Sequence, residues 1–317
     1  MFLFRYLKSF KYIKQTNQSM IELTFLGTSS MVPTKERNHS GILISFKGNN
    51  ILVDCGEGTQ RQLKFAGLSA SKINKILITH WHGDHVLGLP GLIQTLAANG
   101  YDKTLEIYGP KGTKSKFAYL FKAFEFDQSR INIRIIEVQK GKFFENDDFV
   151  LECLPLEHGI ITLGYNFIEK DRRRIDVKKA EKLGLKEGPI LGKIQEGKTV
   201  WVNGKKIKPD DISYIVNGKK ITFISDTLPC KTAYKLAENS DLLVCEATYK
   251  SELEEKGEKY YHMTAKQAAG IASKSNSKKL ILTHISARYK DGKEVEEDAK
   301  DIFDDVKCAY DLMKIEL

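Results

Sequence analysis

Six consecutive residues of this 317-residue chain carry three imidazoles and one carboxylate. They read His80-Trp81-His82-Gly83-Asp84-His85 and follow the apolar run 75–79. Zinc binds imidazole nitrogens and carboxylate oxygens at about 2 Å, and alternate side chains at the end of a strand can converge on one point. The chain has seven histidines in all, so a polar loop that is His-rich by chance is the less favoured interpretation. The motif therefore predicts a metal site.

The same residue types follow other apolar runs. Asp54 comes after 51–53, and the further residues of this kind are His158, Asp226 and His284. A single histidine of this type is more often a hydrogen-bonded structural residue. Several of them at strand ends, with matching aspartates, would each need a buried polar partner. One metal site supplies that partner to all of them.

Two near-copies in the sequence suggest how the site is built. Residues 75–80 read Lys-Ile-Leu-Ile-Thr-His and residues 279–284 read Lys-Leu-Ile-Leu-Thr-His. Each predicts a buried strand that delivers a histidine at its carboxyl end, so two related halves would face each other across one site. One short repeat is weak support by itself.

Periodicity and turn residues predict mixed strands and helices. Strands are expected near 21–26, 42–46, 50–53, 75–79, 105–108, 131–138, 148–154, 164–168, 221–225, 242–245 and 279–283. Helices are expected at about 58–66, 89–99 and 114–124, and after Thr264, which has capping-box spacing with Gln267. The expected fold class is α/β, a four-layer αββα sandwich with a protruding basic arm.

Composition limits the class of protein. Hydrophobic residues make up 41% of the chain, which is enough for one large core, so we expect residues 20–317 to form a single domain. No window approaches the roughly 20 apolar residues of a membrane span. Five scattered cysteines without a Cys-x-x-Cys motif indicate a reducing compartment, and we expect a cytoplasmic protein without membrane contact. Residues 1–19 carry four basic and no acidic residues and are expected to be a poorly ordered extension. The alternatives are a targeting segment, a membrane-surface helix, or a start codon upstream of a true start at Met20.

The chain has a formal charge of +9, and much of it falls in one segment. Residues 169–208 hold 13 Lys and Arg against six Asp and Glu, with glycines spaced through them. We expect an insertion that protrudes from the main body and attracts a polyanion. A solvated helical hairpin is the plain alternative.

In chain order, these residues resemble the five motifs of the metallo-β-lactamase superfamily. The motifs are Asp54, then His80-x-His82-x-Asp84-His85, His158, Asp226 and His284. Within the superfamily the chain is similar to the ribonuclease Z family of tRNA 3′-processing endonucleases, from about Met20 to the end. The segments that narrow the match are 33–38, 54–60, 246–248 and 262–264. Three positions depart from the family pattern, namely His39, Leu228 and Met263. None is an expected metal ligand, but Leu228 would alter phosphate contacts or substrate preference.

The resemblance implies two zinc ions per chain, although Mn²⁺, Fe²⁺ or Co²⁺ would suit similar ligands. The implied ligands are His80, His82 and His158 for one ion, Asp84, His85 and His284 for the other, and Asp226 bridging both. Asp54 would orient the His motif from outside the ligand set. Hydroxide would attack the phosphodiester and leave a 3′-hydroxyl on the tRNA and a 5′-phosphate on the trailer.

The resemblance also implies residues that act in catalysis and RNA binding. Besides Asp84, His262 would donate a proton to the leaving group or contact phosphate, oriented by Glu246; a surface histidine beside two tyrosines is the plain alternative. The basic insertion, with Gly188-Pro189, would be the tRNA-binding arm. Expected RNA contacts are Lys35, Arg37, Lys170, Arg172, Arg173 and Lys193. The expected partners are precursor tRNA and a second copy of the chain in a homodimer.

Three other functions stay open at this point, because a fold does not settle chemistry. The first is a hydrolase of small phosphodiesters or sulfate esters on the same fold, which the basic insertion disfavours. The second is a non-catalytic RNA-binding scaffold, which predicts missing ligands, whereas none is missing. The third is a lactamase or thioester hydrolase of the same superfamily.

Overall fold

The computed structural model describes residues 20–185, 188–202 and 204–317. The expected N-terminal extension, residues 1–19, lies outside the described residues. Among the helices of the described ranges, none is both long and apolar enough to cross a bilayer.

The described part of the chain alternates strands with short helices. The strands are β1 (Glu22–Gly27), β2 (Gly41–Phe46), β3 (Asn49–Val53), β4 (Lys75–Leu77), β5 (Thr104–Gly109), β6 (Asn132–Glu137), β7 (Gly141–Glu145), β8 (Phe149–Leu156), β9 (Thr162–Glu169), β10 (Arg172–Ile175), β11 (Val200–Val202), β12 (Lys205–Ile207), β13 (Ser213–Val216), β14 (Lys220–Ile224), β15 (Leu242–Glu246), β16 (Leu280–Thr283), β17 (Val306–Cys308) and β18 (Lys314–Glu316). The α-helices are α1 (Thr59–Phe65), α2 (Gly83–Val86), α3 (Leu89–Ala98), α4 (Thr113–Phe121), α5 (Val177–Lys182), α6 (Pro189–Gln195), α7 (Pro209–Ile212), α8 (Lys231–Ala237), α9 (Glu254–Tyr260), α10 (Ala265–Lys274) and α11 (Lys293–Lys300).

Two seven-stranded sheets carry the fold. Their strand orders are β18-β1-β2-β3-β4-β5-β6 and β17-β16-β15-β14-β9-β8-β7. In the first sheet β3 to β6 are parallel, and in the second β14 to β17 are parallel. The two sheets therefore have matching parallel halves, as the repeated segments at 75–80 and 279–284 suggested.

Three apolar layers hold the sheets and helices together. Phe25, Tyr165 and Phe223 belong to the layer between the two sheets. A second layer packs the outer face of the first sheet against α1, α3 and α4, and a third packs the outer face of the second sheet against α8, α10 and α11. This arrangement confirms the predicted four-layer αββα sandwich.

Several element boundaries differ from the prediction. The strand expected over 75–79 ends at Leu77, because the Thr79 amide turns away to donate to the Asp54 carboxylate over 2.8 Å. The helix expected over 114–124 ends at Phe121. Strand β7 was not predicted, and a bulge between Lys142 and Phe144 interrupts its alternation. The hairpin between β2 and β3 is confirmed, with Lys47 at φ 46° and Gly48 at φ 78° in its turn.

The basic insertion leaves the second sheet between β9 and β14. Within it β10 pairs with β13 and β11 with β12, outside both large sheets. A separate apolar cluster that includes Ile194, Ile207 and Ile212 packs inside the insertion. The chain returns at Gly218, where a Cβ would lie 1.9 Å from the Glu169 carbonyl oxygen, so only glycine fits this crossing. The structural excursion thus runs over 170–219, with 14 Lys and Arg against seven Asp and Glu.

Candidate metal centre

The parallel strands of both sheets end at the edge where the candidate ligands lie. Asp54 follows β3 and His80 comes shortly after β4, while Asp226 and His284 follow β14 and β16. His158 follows β8, which runs in the same direction as β14 because β9 lies antiparallel between them. Carboxyl ends of parallel strands meet at one sheet edge, which is why residues distant in sequence converge here.

Hydrogen bonds between the sheets fix this edge. The Tyr165 hydroxyl donates to the Ile78 carbonyl over 2.7 Å, and the Leu163 amide donates to the Thr79 carbonyl over 2.9 Å. On the other side, the Ile285 amide donates to the Thr28 carbonyl over 2.8 Å. The loops that carry His80 and His284 are therefore each tied to the opposite sheet.

His80, His82, His158 and Asp226 form the first ligand cluster. The Nδ1 atom of His82 lies 3.0 Å from Nε2 of His80 and 3.2 Å from Nε2 of His158. Asp226 Oδ2 lies 3.4 Å from Nε2 of His80 and 3.9 Å from Nε2 of His158. Four potential ligand atoms thus face one point.

Asp84, His85, Asp226 and His284 form the second ligand cluster. The Nε2 atoms of His85 and His284 lie 3.3 Å apart, and Asp84 Oδ2 lies 3.4 Å and 3.3 Å from them. Asp226 turns its other oxygen, Oδ1, towards this cluster, at 3.5 Å from Nε2 of His85 and 3.3 Å from Nε2 of His284. One carboxylate therefore faces both clusters.

These separations fit metal ligation. Ligand atoms bound to one tetrahedral ion at about 2.0–2.1 Å are about 3.3 Å from each other. Most of the separations in both clusters lie close to that value, and within each cluster all ligand atoms lie within 4.8 Å of one another. Asp84 Oδ1 is buried and has no hydrogen-bond partner among the described residues. A cation nearby would compensate this buried oxygen.

The hydrogen bonds of the ligand histidines also place their protons as metal binding requires. The Thr79 hydroxyl donates to Asp54 Oδ2 over 2.8 Å, so it can only accept from Nδ1–H of His80, which lies 3.0 Å away. Nδ1–H of His85 donates to Asp54 Oδ2 over 2.7 Å. In the neutral form of each ring, the atom that faces the clusters is therefore an unprotonated Nε2, as a metal ligand must be.

Two further ligand rings, those of His158 and His284, are held in the same tautomer by different partners. Nδ1–H of His158 donates to the Tyr261 carbonyl over 3.0 Å. The Thr248 hydroxyl donates to Glu246 Oε2 over 2.7 Å and accepts from Nδ1–H of His284 over 2.9 Å. The sequence did not single out Thr79, Thr248 or the Tyr261 carbonyl for this role. Both threonines do lie in segments already noted for their motifs, which was the available signal.

Burial and charge set the pKa values at the site. Burial lowers the pKa of His80 to about 4 and also lowers the pKa of His82 and of His158, so these rings stay neutral. Burial raises the pKa of the Asp226 carboxyl, but the surrounding imidazoles outweigh it and hold the pKa well below the usual range. Burial lowers the pKa of His85, and Asp226 and Asp54 outweigh it and raise the pKa. A cation would compete with a proton for His85 Nε2.

His262 and Glu246 lie beside the second cluster. His262 Nδ1 is 3.2 Å from Glu246 Oε1 and 3.3 Å from Oε2, and its ring stacks 5.3 Å from that of His284. Glu246 is fully buried and also accepts from the Thr227 amide over 2.7 Å, so its carboxylate is fixed. Burial lowers the pKa of His262, but Glu246 outweighs it and raises the pKa to about 9. A protonated imidazole can donate a proton.

The structure does not present Arg37 to a ligand, which corrects the expectation that it contacts RNA. Its side chain is 3% exposed, and Nη1 donates to the Thr28 hydroxyl and to the Ala309 carbonyl, each over 2.7 Å. The guanidinium therefore joins the loop 28–37 to the C-terminal segment. The neighbouring Lys35 is exposed.

The other expected RNA contacts lie on or beside the insertion. Lys193 is exposed, whereas three residues are partly buried in ion pairs. Lys170 pairs with Glu145 at 2.7 Å, Arg172 with Glu169 at 3.8 Å and Arg173 with Asp210 at 2.5 Å.

Two of the three departures from the family pattern have structural roles. Met263 is fully buried in the third apolar layer. His39 is buried, and its Nε2 lies 3.0 Å from the Met31 carbonyl oxygen, away from both ligand clusters. Leu228 follows Asp226 by two residues and donates its amide to the Glu157 carbonyl over 2.9 Å.

Comparison with known proteins identifies close relatives of the whole chain. Ribonuclease Z of Methanothermobacter thermautotrophicus is 42% identical over 299 residues, which cover 94% of this chain and 97% of that protein. Ribonuclease Z of Archaeoglobus fulgidus is 39% identical over 302 residues, covering 94% and 98%. A family model described as Anti-Pycsar protein Apyc1 matches residues 21–161.

Solved structures agree with this relationship. Human tRNase Z, short form, is 27% identical, with a TM-score of 0.66 over 93% of this chain and 98% of that one. The metallo-β-lactamase fold protein YhfI from Bacillus subtilis has a TM-score of 0.69 at 18% identity, over 94% and 100%, which shows the fold alone. The expected fold and family are both confirmed: with 42% identity across nearly the full length of a relative, this chain belongs to the ribonuclease Z family.

Proposed function

We propose that this chain is a metal-dependent endoribonuclease that removes the 3′ trailer from precursor tRNA. The observation that carries the proposal is that one carboxylate, Asp226, faces two ligand clusters at once, in a chain of the ribonuclease Z family. Two adjacent sites of this kind suit an in-line displacement at phosphorus, because both the attacking and the leaving oxygen need stabilisation.

The proposed cofactor is a pair of zinc ions. His80, His82 and His158 would hold one, Asp84, His85 and His284 the other, and Asp226 both. Such a pair lowers the pKa of water towards neutrality and neutralises charge on phosphate oxygens when bound. The nitrogen and oxygen donor set, without any thiolate, also suits manganese, iron or cobalt.

The chain's own residues would then orient the ligands and move a proton. Asp54 and Thr79 fix the rings of His80 and His85, and Asp84 contributes a carboxylate to the second cluster. His262 would donate a proton to the departing 3′-oxygen of the tRNA, and Glu246 would hold its ring in place. The products are a tRNA with a 3′-hydroxyl and a trailer with a 5′-phosphate.

We further propose that the insertion, predicted at 169–208, is a tRNA-binding arm within a single domain over 20–317. Its excess of cations and its separate apolar cluster support this role, because a self-packed basic module can grip an RNA backbone without reading its sequence. We propose a homodimer as the working form, testable as twice the 36.0 kDa chain mass by light scattering. We also propose a cytoplasmic location, with which five unpaired cysteines are compatible.

The decisive experiment incubates the purified chain with a 3′-extended tRNA transcript, with and without a chelator, and maps the cut. We expect one chelator-sensitive cut at the base of the trailer. His82→Ala should abolish cleavage while tRNA binding persists, because His82 lies in a ligand cluster and not on the insertion. Cleavage that survives both chelation and this substitution would remove the metal mechanism.

The alternative is a hydrolase of small phosphodiesters on the same fold. It predicts efficient turnover of a small diester and no cut in the transcript. The basic insertion favours the larger polyanionic substrate.

A further inference from the structure

Tyr261 occupies a backbone position that usually belongs to glycine. It follows α9 directly, with φ 59° and ψ 45°, in the left-handed region. The His262 amide donates to the Gly257 carbonyl over 2.9 Å and the Tyr261 amide to the Glu258 carbonyl over 3.2 Å. These two bonds form a Schellman motif, in which glycine is the favoured residue at the left-handed position. A tyrosine there costs conformational free energy that glycine would not.

The backbone of Tyr261 already has a function that does not need the ring. Its carbonyl accepts Nδ1–H of His158 over 3.0 Å and thereby fixes that ligand ring. Glycine would supply the same carbonyl and end the helix at a lower cost. Neither the helix end nor the orientation of His158 explains why a large aromatic side chain stands here.

The ring lies beside His158, a ligand residue of the first cluster. Its centroid is 6.2 Å from that of His158, at an interplanar angle of 87°, and the side chain is 43% exposed. Its Cδ2 atom passes 3.8 Å from the position of a Cβ on Gly159, so the ring lies over the loop that carries His158. Within the described residues, the phenol oxygen makes no hydrogen bond. The ring is thus partly exposed beside a ligand histidine, where it can meet a nucleobase.

We propose that the Tyr261 ring is a stacking platform for a nucleobase next to the scissile phosphodiester. The inference rests on the proposed function and names a specificity-determining residue for it. Single-stranded RNA is commonly gripped by stacking its bases on aromatic side chains, which tolerates any base. A strained backbone at a functional site is commonly retained for what its side chain does there. Because the ring lies beside His158, a base flanking the cut would pass within its reach if the phosphodiester is cleaved at these clusters.

The neighbouring Tyr260 provides a matched control. It is also exposed, but it belongs to the last turn of α9, and Lys259 Nζ lies 5.7 Å from its ring centroid. Among the described residues, Tyr260 has neither a hydrogen bond to a ligand histidine nor a ring pair with one, unlike Tyr261. Tyr260→Ala should therefore cleave like the wild type.

The test measures kcat and KM of the metal-loaded full chain on the 3′-extended transcript. Tyr261→Gly keeps the left-handed backbone and the carbonyl that holds His158. We expect KM to rise about five- to hundredfold, the cost of losing one stacked base, with kcat and bound metal little changed. Tyr261→Phe should restore the wild-type KM, because stacking needs the ring and not the hydroxyl.

A spectroscopic arm locates the base. 2-Aminopurine is placed in the transcript on either side of the cut, and its fluorescence is followed in the binding phase that precedes cleavage. We expect quenching at one of the two positions with the wild type and with Tyr261→Phe, and none there with Tyr261→Gly.

Failure of the stacking role and failure of the endonuclease function would give different results. An unchanged KM and unchanged quenching in Tyr261→Gly, beside an active wild type, would overturn the stacking role. Loss of bound metal with a lower kcat and an unchanged KM would overturn it too, since the residue would then act only through His158. A wild-type chain that leaves the transcript uncut overturns the proposed function itself.

Discussion

Oδ2 of Asp54 lies 2.7 Å from Nδ1 of His85, on the side of the ring opposite the second ligand cluster. The same carboxylate oxygen accepts the Thr79 hydroxyl, which in turn accepts Nδ1–H of His80. His80 and His85 belong to different clusters, so one aspartate sets the tautomer of a ligand in each. Asp54 itself sits at φ 57°, a conformation that aspartate and asparagine tolerate better than most residues.

Asp54→Asn should weaken metal binding about 10- to 100-fold without unfolding the chain. Asparagine fits the left-handed backbone and the volume, but its amide no longer compels a proton onto Nδ1 of His85. Zinc affinity measured by competition with a chromophoric chelator checks this. Glu57→Gln, which changes an exposed carboxylate in the same loop, should bind zinc normally. Equal affinity in both variants would contradict the orienting role of Asp54.

His262→Ala should slow cleavage of the precursor tRNA about 10²- to 10⁴-fold, the usual contribution of a general acid. The 3′-oxygen is a poor leaving group and needs the proton. Bis(p-nitrophenyl) phosphate releases a stable phenolate, so its hydrolysis should fall far less. The ratio of the two rate losses is the measurement. A loss of the same size on both substrates would argue against proton donation by His262.

Excision of the insertion should separate RNA binding from chemistry. Glu169 and Lys219 are already joined at its base, where the Glu169 amide donates to the Lys219 carbonyl over 2.8 Å, so residues 171–217 can be replaced by two glycines. We expect kcat/KM on precursor tRNA to fall at least about tenfold and to depend less on salt, because phosphate contacts are lost. Hydrolysis of bis(p-nitrophenyl) phosphate should persist. Equal loss on both substrates would contradict the proposed role of the arm.

Glu106→Gln should destabilise the fold at neutral pH by about 1–3 kcal/mol, the cost of leaving a buried charge without its partner. Lys75, at the start of β4, lies 3.0 Å from Glu106 Oε2, and both side chains are largely buried. Burial raises the pKa of Glu106, but Lys75 and Arg134 outweigh it and lower the pKa. The stabilisation is therefore present above the ordinary glutamate pKa of about 4.3 and is lost as the pH falls through the lowered value.

Urea unfolding of the wild type and Glu106→Gln at neutral and acid pH checks this prediction. The difference in free energy of unfolding should shrink in acid. Glu145→Gln, which removes a much more exposed carboxylate from its pairs with Lys142 and Lys170, should change stability little at either pH. A pH-independent difference for Glu106→Gln would assign the effect to packing instead of charge.

The order of ligand-type residues at strand ends was readable from the sequence because strand periodicity and the repeat at 75–80 and 279–284 are local patterns. The hydrogen bonds that set the tautomers were not readable. The residues before the final histidines of the two copies are Thr79 and Thr283, but only Thr79 supports its following histidine. Thr248, in the loop after β15, supports His284, and the Thr283 hydroxyl has no partner among the described residues. Only the three-dimensional packing decides between them.

The burial of individual charged side chains could not be inferred from the sequence either. Arginine is a residue type that often contacts RNA phosphates. The Arg37 guanidinium instead donates hydrogen bonds to the Thr28 hydroxyl and to the Ala309 carbonyl, which is 272 residues away in sequence. The insertion was predicted to end at residue 208 but continues to residue 219, for a similar reason. Strand β13 is only four residues long, and its pairing with β10 cannot be inferred from either segment alone.

Asp226 reaches from the end of β14 to imidazoles delivered by the opposite sheet. Each cluster draws two donors from each half of the sandwich, so neither half alone supplies the full set. Bound ions would cross-link the two sheets, and their binding free energy would add to the stability of the folded chain. Metal supply would then govern how long the folded chain survives as well as whether it cuts RNA.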